Sequence, residues 1–331
     1  MSNYKVPVKD FLFLFNDVLD MQAKYQNING GDQATPDMLE AIFIEAARFS
    51  ENELAPLYQS GDEGCSWNDG VVTTPKGFKE AYKTFIEGGW TTLTGSEDMG
   101  GQYLPSSISL AVTEMFTTAN WAWAMYPGLS EGAIATLEDH GTDAQKKDYL
   151  TQLVSGVLSG TMCLTEPHCG TDLGQMKTKA MPDTNGSYNV NGTKIFISAG
   201  EHDLTENIVH IVLAKLPDAP KGTKGLSLFI IPKFLPASDG TVGERNGGRC
   251  GAIEHKMGIH GKGTAGLKLN NARGCVRGGP QEGVNGMCNN GKGARVGTKP
   301  LVQEKKNPSE VAERGWREKK ARFSIGRSKG L

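Results

Sequence analysis

Residues Met162 to Gly174 read MCLTEPHCGTDLG and set Glu166, His168, Cys169, Thr171 and Asp172 almost side by side. Three chemistries are open to them. As a metal site, the ligands would be Cys163, His168 and Cys169, but zinc wants four well-spaced donors and no second Cys/His cluster of matching spacing follows, so no metal is expected. As a structural joint, Glu166-Pro167 would form a turn and Thr171 or Asp172 a helix N-cap. As an anion cradle, the Gly170-Thr171 backbone and the Thr171 hydroxyl would meet a phosphate, because a residue without Cβ lets main-chain N–H groups approach closely. Local sequence favours the plain joint and leaves the cradle open.

The elements that must position this stretch differ on its two sides. Before it, the chain reads as helices. TPDMLEAIFIEAARF offers Thr35 as N-cap and Pro36 at the first helical position, followed by Leu39, Ile42, Phe43, Ala46, Ala47 and Phe49 at helical spacing. TPKGFKEAYKTFIEGGW puts Phe78, Tyr82 and Phe85 on one stripe, with Gly88 at the stop. Further helices are predicted over 106–118, 129–139 and 143–155.

After it the period changes. SYNVNGTKIFIS sets Tyr188 and Val190 against Ile195 and Ile197 around Asn191-Gly192, which predicts a hairpin turning at that dipeptide. NIVHIVLAKL and GLSLFIIPKF read as strands, with the Pro-Asp-Ala-Pro-Lys-Gly stretch as the loop between them. Helices first and strands second imply separate α and β layers rather than alternating βαβ units, and no G-x-G-x-x-G opens a helix after a strand, so a dinucleotide-binding fold lacks its fingerprint.

A chain of 331 residues is long enough for about two domains. The apolar run 11–15 is too short for a secretory leader or a membrane span. Six scattered cysteines without a C-x-x-C pair do not make a disulfide scaffold, and a cytoplasmic protein is expected. The net charge of −2 hides an asymmetry: residues 240–331 carry 19 Lys and Arg against 7 Glu and no Asp, a net +12. That segment also holds 20 Gly, a composition that does not favour a packed core.

Taken together, MCLTEPHCGTD, NVNGTKIFISAGEHD, KGLSLFIIPKF and EHKMGIHGKGTAGLKLNNARG resemble, in order and spacing, the middle domain of the flavin-dependent acyl-CoA dehydrogenases. HGTDAQKKDYLTQLVSG and TGSEDMGGQYLP resemble that family's N-terminal helical domain, so the likeness covers about residues 35–285. His168-Cys169 and ISAGEHDLTENIVH are most similar to the branch that includes 3-(methylthio)propanoyl-CoA dehydrogenase. The resemblance implies an α+β multidomain fold. It would comprise an N-terminal α-helical domain over 1–158, a middle β-barrel domain that binds flavin over 159–284, and an incomplete, poorly ordered remnant of a C-terminal helical domain over 285–331.

It also implies FAD as cofactor and a place in fatty acid metabolism. Met162, Leu164 and Thr165 would line the isoalloxazine ring, and Gly170 and Thr171 would meet the pyrophosphate. Phe196, where many members have Trp, would pack against the flavin, and Ser198, where many have Thr, would lie near its N5 and O4 edge. Read without the family, Phe196 is a barrel-core residue and Ser198 a strand-end hydroxyl. The implied reaction is α,β-dehydrogenation of an acyl-CoA to the trans-2-enoyl-CoA, with electron-transferring flavoprotein as acceptor and homo-oligomers as the family's assembly.

The family's catalytic base, a Glu, is expected in the C-terminal bundle, where this sequence departs from the pattern. PQEGVNGMCNNGKGARVGTKPLVQ is only faintly similar to that bundle's first helix, and Asn289, Asn290, Gly291 and Gly293 weaken a buried helix there. Glu304, Glu310, Glu313 and Glu318 read as solvated charges, so the chain is expected to be truncated and impaired. An acyl-CoA oxidase of the same fold is the alternative within the family. Outside it, the basic tail would be a nucleic-acid- or lipid-binding segment, but Trp316 and Phe323 are its only aromatics and no nucleic-acid motif is present, so neither nucleic acid nor membrane is the expected partner.

Overall fold

The structure is a computed structural model that describes residues 4–237, 241–276, 283, 284 and 287. Its helical half runs through Val8–Phe13 (α1), Met21–Tyr25 (α2), Pro36–Phe49 (α3), Tyr58–Glu63 (α4), Phe78–Glu87 (α5), Ser106–Ala119 (α6), Trp121–His140 (α7), Asp143–Gln145 (α8) and Thr151–Val154 (α9). Helix α3 starts as its sequence dictates, with the Thr35 hydroxyl accepting from the Met38 amide at 3.3 Å and Pro36 in the first turn. Helix α5 stops at Gly88 with Phe78, Tyr82 and Phe85 buried. Phe49, Phe85, Phe116 and Trp123 meet edge to face or tilted, and Trp123 donates its indole N–H to the Phe78 carbonyl at 3.1 Å.

Helix α7 begins eight residues before the predicted Leu129, capped by Asn120, and carries Pro127 inside it. Proline there removes one backbone donor and argues locally for a boundary, but the buried Trp123 and Tyr126 hold the preceding turns helical. Segment 143–154 follows one helical path through a π-type turn at Lys146–Leu150, opened by a capping box between Thr142 and Gln145.

Strands Ser66–Asn68 (β1) and Val71–Thr73 (β2) form a small hairpin inside the helical half. Asp69 and Gly70 turn it with φ of 44° and 85°, a dipeptide signal that the helical reading of this half passed over. The Trp67 indole donates to the Cys250 carbonyl at 3.2 Å, so the hairpin belongs physically to the β layer.

The β layer comprises Leu158–Cys163 (β3), Lys179–Pro182 (β4), Tyr188–Ser198 (β5), Asn207–Lys215 (β6), Leu226–Pro232 (β7), Phe234–Pro236 (β8), Val242–Arg245 (β9), Gly248–Ile253 (β10) and Thr264–Val276 (β11). The pairings β11-β5-β4-β6-β7-β11 return to their start, so these five strands close a ring. Strand β3 lies parallel on β6, and β10 lies antiparallel on β11. Both faces of β6 and β7 are covered, which explains their unbroken apolar sequence.

Two expectations are overturned. Asn191 and Gly192 make no hairpin: β5 runs straight through them, and the β4–β5 connection turns at Thr184–Gly186 instead. Gly192 is required for another reason, because a Cβ there would stand 2.3 Å from the Thr178 hydroxyl. Asn191 instead exchanges hydrogen bonds with Asn271, which sits at φ 50° where β11 gains a residue against β5. The Gly-rich composition after Asp239 also misleads as far as Val276, since β11 is paired along its length and Cys250, Ala265, Leu267, Leu269 and Ala272 are buried. Its glycines mark close approaches: a Cβ at Gly247 would meet the Asn270 carbonyl at 2.1 Å. Of the following stretch, Gly283, Val284 and Met287 are helical, and Met287 packs on the core beside β6 and β7. Asn289, Asn290, Gly291 and Gly293, with Glu304, Glu310, Glu313 and Glu318, lie outside the described residues. Among the described residues, no helix is long and apolar enough to cross a membrane.

Gly192→Ala is expected to destabilise the protein by about 1–3 kcal/mol through overpacking, read as a lower urea midpoint with unchanged slope. A second expectation concerns acid. His202 and His210 are buried, and burial reinforced by the Lys233 charge pushes both imidazoles down to about 3. Below pH ~6.5 the unfolded chain therefore binds protons that the native one refuses. Stability should fall by about 1.4 kcal/mol per pH unit per imidazole as pH drops from ~6.5 towards 3, in addition to carboxylate effects. Urea midpoints between pH 7 and 4 check this, and His210→Gln should flatten the slope.

Candidate functional site

Strand β3 delivers Met162 at its penultimate position, paired with Ile211, and Met162 and Leu164 are half-buried against the β6–β7 core. The chain then leaves the strand without leaving the barrel. The Thr165 carbonyl accepts from the Ile195 amide at 2.9 Å, and the Thr161 hydroxyl donates to the Ser198 carbonyl at 2.7 Å. The two sequence segments expected to share a site, 162–165 and 196–198, are thereby brought together.

Glu166 and Cys169 close a tight turn by exchanging backbone hydrogen bonds at 2.8 and 3.1 Å, with Pro167 and His168 exposed at its tip. The predicted turn is present, and its carboxylate does more than the sequence reading assigned to it. Glu166 is buried and accepts from the Lys177 amide at 2.7 Å, the Thr178 amide at 3.0 Å and the Lys194 ammonium at 2.9 Å. The Lys194 side chain, 0% exposed, also donates to the Leu164 carbonyl at 3.1 Å. Burial pushes Glu166 up, but Lys194 and the Thr178 and Lys177 donors outweigh it and hold the carboxyl below its ordinary value. On Lys194, burial outweighs Glu166 and lowers the ammonium.

Glu166, His168 and Cys169 present ligand atoms within 4.8 Å of one another, whereas Cys163 is buried in β3 and outside that group. Glu166 already accepts from four donors, the two amides, the Thr178 hydroxyl and the Lys194 ammonium, and with Cys163 apart the predicted Cys163, His168 and Cys169 ligand set is not assembled. Asp172 caps the 3₁₀ turn Leu173–Gln175, accepting from the Gly174 amide at 3.0 Å. Gly170 and Thr171 lie exposed between the turn and this cap. A Cβ on Gly170 would crowd the Thr165 methyl at 3.3 Å, so the bare glycine keeps that backbone open.

At the far end of β5 the strand is distorted. Between the pairs Ile197↔Ala265 and Lys194↔Leu267, β5 carries one residue more than β11, a bulge. Phe196 sits in it at φ 59° and Ala199 at φ 51°, left-handed conformations that cost non-glycine residues about 1–3 kcal/mol each. The bulge turns Phe196 outward with 59% of its surface exposed, so it is not a core residue. Ser198 ends the strand, and its hydroxyl accepts from the Lys262 ammonium at 2.7 Å. Lys194 and Lys262 were not singled out in the sequence. The only signal was a lysine inside the apolar run of β5, which alternation reads as a solvent-facing position.

An exposed aromatic held in a strained bulge, a hydroxyl beside a cation and an open glycine backbone suit a flat conjugated ring that carries phosphates. Residues 37–157 match the family "Acyl-CoA dehydrogenase, N-terminal domain" and residues 161–272 match "Acyl-CoA dehydrogenase, middle domain", and the chain belongs to this family. It is 40% identical over 285 residues to the 3-methylmercaptopropionyl-CoA dehydrogenase of Ruegeria pomeroyi, covering 86% of this chain and 48% of that one. It is 33% identical over 321 residues to a butyryl-CoA dehydrogenase of Syntrophomonas wolfei, covering 94% and 52%. The chain thus spans about half the length of the curated relatives it matches. The fold is similar to that of butyryl-CoA dehydrogenase from Megasphaera elsdenii, with TM-score 0.64, 24% identity and coverage of 88% of this chain and 76% of that one. It is also similar to a chain in a structure described as the electron transferring flavoprotein of Acidaminococcus fermentans, with TM-score 0.65, 27% identity and coverage of 78% and 62%.

Lys194→Met should destabilise by about 3–5 kcal/mol because it strands a buried carboxylate, while adding Glu166→Gln should recover some of the loss. Urea denaturation of the two variants checks this.

Proposed function

We propose that this chain supplies the helical and barrel walls of an FAD site for α,β-dehydrogenation of an acyl-CoA thioester. The observation that carries the reading is the joining of 162–165 to 196–198 in one surface, with Phe196 turned outward by the bulge. Met162, Leu164 and Thr165 would line the ring, Phe196 would cover one face, and Ser198 would offer its hydroxyl at the edge. Gly170 and Thr171 would hold the pyrophosphate through the open backbone. FAD, when bound, supplies the acceptor for the hydride that leaves Cβ of the acyl group. The chain's own contribution is to exclude water on this side, fix the plane of the ring and hold donors at its edge.

The likeness to the Ruegeria pomeroyi protein supports 3-(methylthio)propanoyl-CoA as the acyl group. Electron-transferring flavoprotein is the proposed acceptor, which the likeness to the Acidaminococcus fermentans structure supports. The reading includes a homo-oligomer. It also includes a division into an N-terminal helical domain over residues 1–158, a flavin-binding barrel over 159–284 and a C-terminal segment from 285.

The test is incubation of the purified chain with FAD, gel filtration and a visible spectrum. Retained flavin is expected, and its absence overturns the reading. Phe196→Ala should weaken FAD binding about tenfold, the loss of one aromatic contact. Because the ring is exposed, the same substitution should leave unfolding within about 0.5 kcal/mol.

A further inference from the structure

Two lysines of the barrel are removed from water, and their surroundings differ. Lys194 meets the Glu166 carboxylate. Lys262 is 6% exposed, yet among the described residues no ion pair includes it, and its ammonium donates to the Ser198 hydroxyl. Its charged neighbour is another cation, since Lys256 donates to the Lys262 carbonyl at 2.8 Å. Burial, reinforced by Lys256, pushes Lys262 down to about 8, so the group is still mostly charged at neutral pH. A buried ammonium without an anion is unfavourable, and negative charge brought beside it would offset that cost.

The loop that carries it is fixed from the helical side. Tyr126 of α7 donates its hydroxyl to the Gly261 carbonyl at 3.0 Å and accepts the Gly263 amide at 3.0 Å. The Cys65 thiol donates to the same Gly261 carbonyl at 3.1 Å. A Cβ at Gly261 would meet the Gly61 carbonyl at 2.7 Å, so loop and α4 are in close contact. Two independent elements therefore hold the ammonium against Ser198.

We propose that Lys262 is a positioning residue that, through Ser198, gives the flavin wall a fixed positive charge favouring the reduced cofactor. The proposal rests on the flavin reading above. Reduction by a hydride adds two electrons and one proton, so one negative charge is left on the ring system, and a cation held nearby in a poorly solvated site stabilises it. Because the Ser198 oxygen accepts from Lys262, its own proton points elsewhere and is available to the ring edge.

The test is the midpoint potential of FAD bound to the full chain, compared with Lys262→Met and Lys262→Arg by equilibration with a reference dye. Lys262→Met should lower the equilibrium constant for two-electron reduction about tenfold, a shift of about 30 mV to more negative potential. Lys262→Arg should keep most of the original value. Melting temperatures of the FAD-free proteins give a readout independent of flavin: Lys262→Met should melt no lower than the unsubstituted chain, because it removes an unpaired buried charge. Retained FAD with equal potentials in all three proteins overturns this proposal and leaves the flavin reading standing. No retained FAD in the unsubstituted chain overturns both.

Discussion

The barrel contains an ammonium group that water does not reach, and the need to neutralise it organises the joint between the two halves. Lys194 lies inside β5, and its counterion, Glu166, comes from the turn that follows β3. The same carboxylate accepts the amides of Lys177 and Thr178 at the entry to β4. One buried pair therefore fastens three chain segments, and a buried pair is strongly position-specific because either partner alone would be an uncompensated charge. The loop 164–178 thereby becomes a wall of the barrel.

Closing the ring of strands creates a second constraint. Side chains alternate between the two faces of a strand, and a bulge resets that alternation; β5 has one where Phe196 stands, between the buried Lys194 and Ile197. The strain of two left-handed residues, Phe196 and Ala199, is confined to the few positions beside Ser198. The helical layer reaches the same place from the other side, since Tyr126 of α7 and Cys65 after α4 hold the loop bearing Lys262. The wall is thus assembled from β3, β5 and the 261–263 loop and braced by helices remote in sequence.

Local signals were legible where a residue's role depends on its neighbours in sequence. Thr35-Pro36 started a helix and Gly88 ended one because caps act within a turn. The runs that became β6 and β7 were apolar throughout because both faces are covered. Asn191-Gly192 misled because the same dipeptide that suits a tight turn also suits a strand where Thr178 crosses closely. The helix predicted from Leu129 starts earlier, at Trp121, because packing of Trp123 and Tyr126 outweighs the local helix breaker Pro127.

By itself the sequence determined the division into a helical half and a strand half, the stretch at their joint, and the likeness to the acyl-CoA dehydrogenases that the comparisons bear out. Periodicity, caps and ordered motifs are properties of short segments, and a linear text preserves them. Only the tertiary structure decided that Glu166 is the partner of Lys194, that Phe196 leaves the core, and that Lys262 stands beside Ser198. Each of these depends on segments some thirty to sixty residues apart, or on one extra residue in a strand register. Charge neutralisation and bulge placement are settled by what lies across the sheet, which no local pattern records.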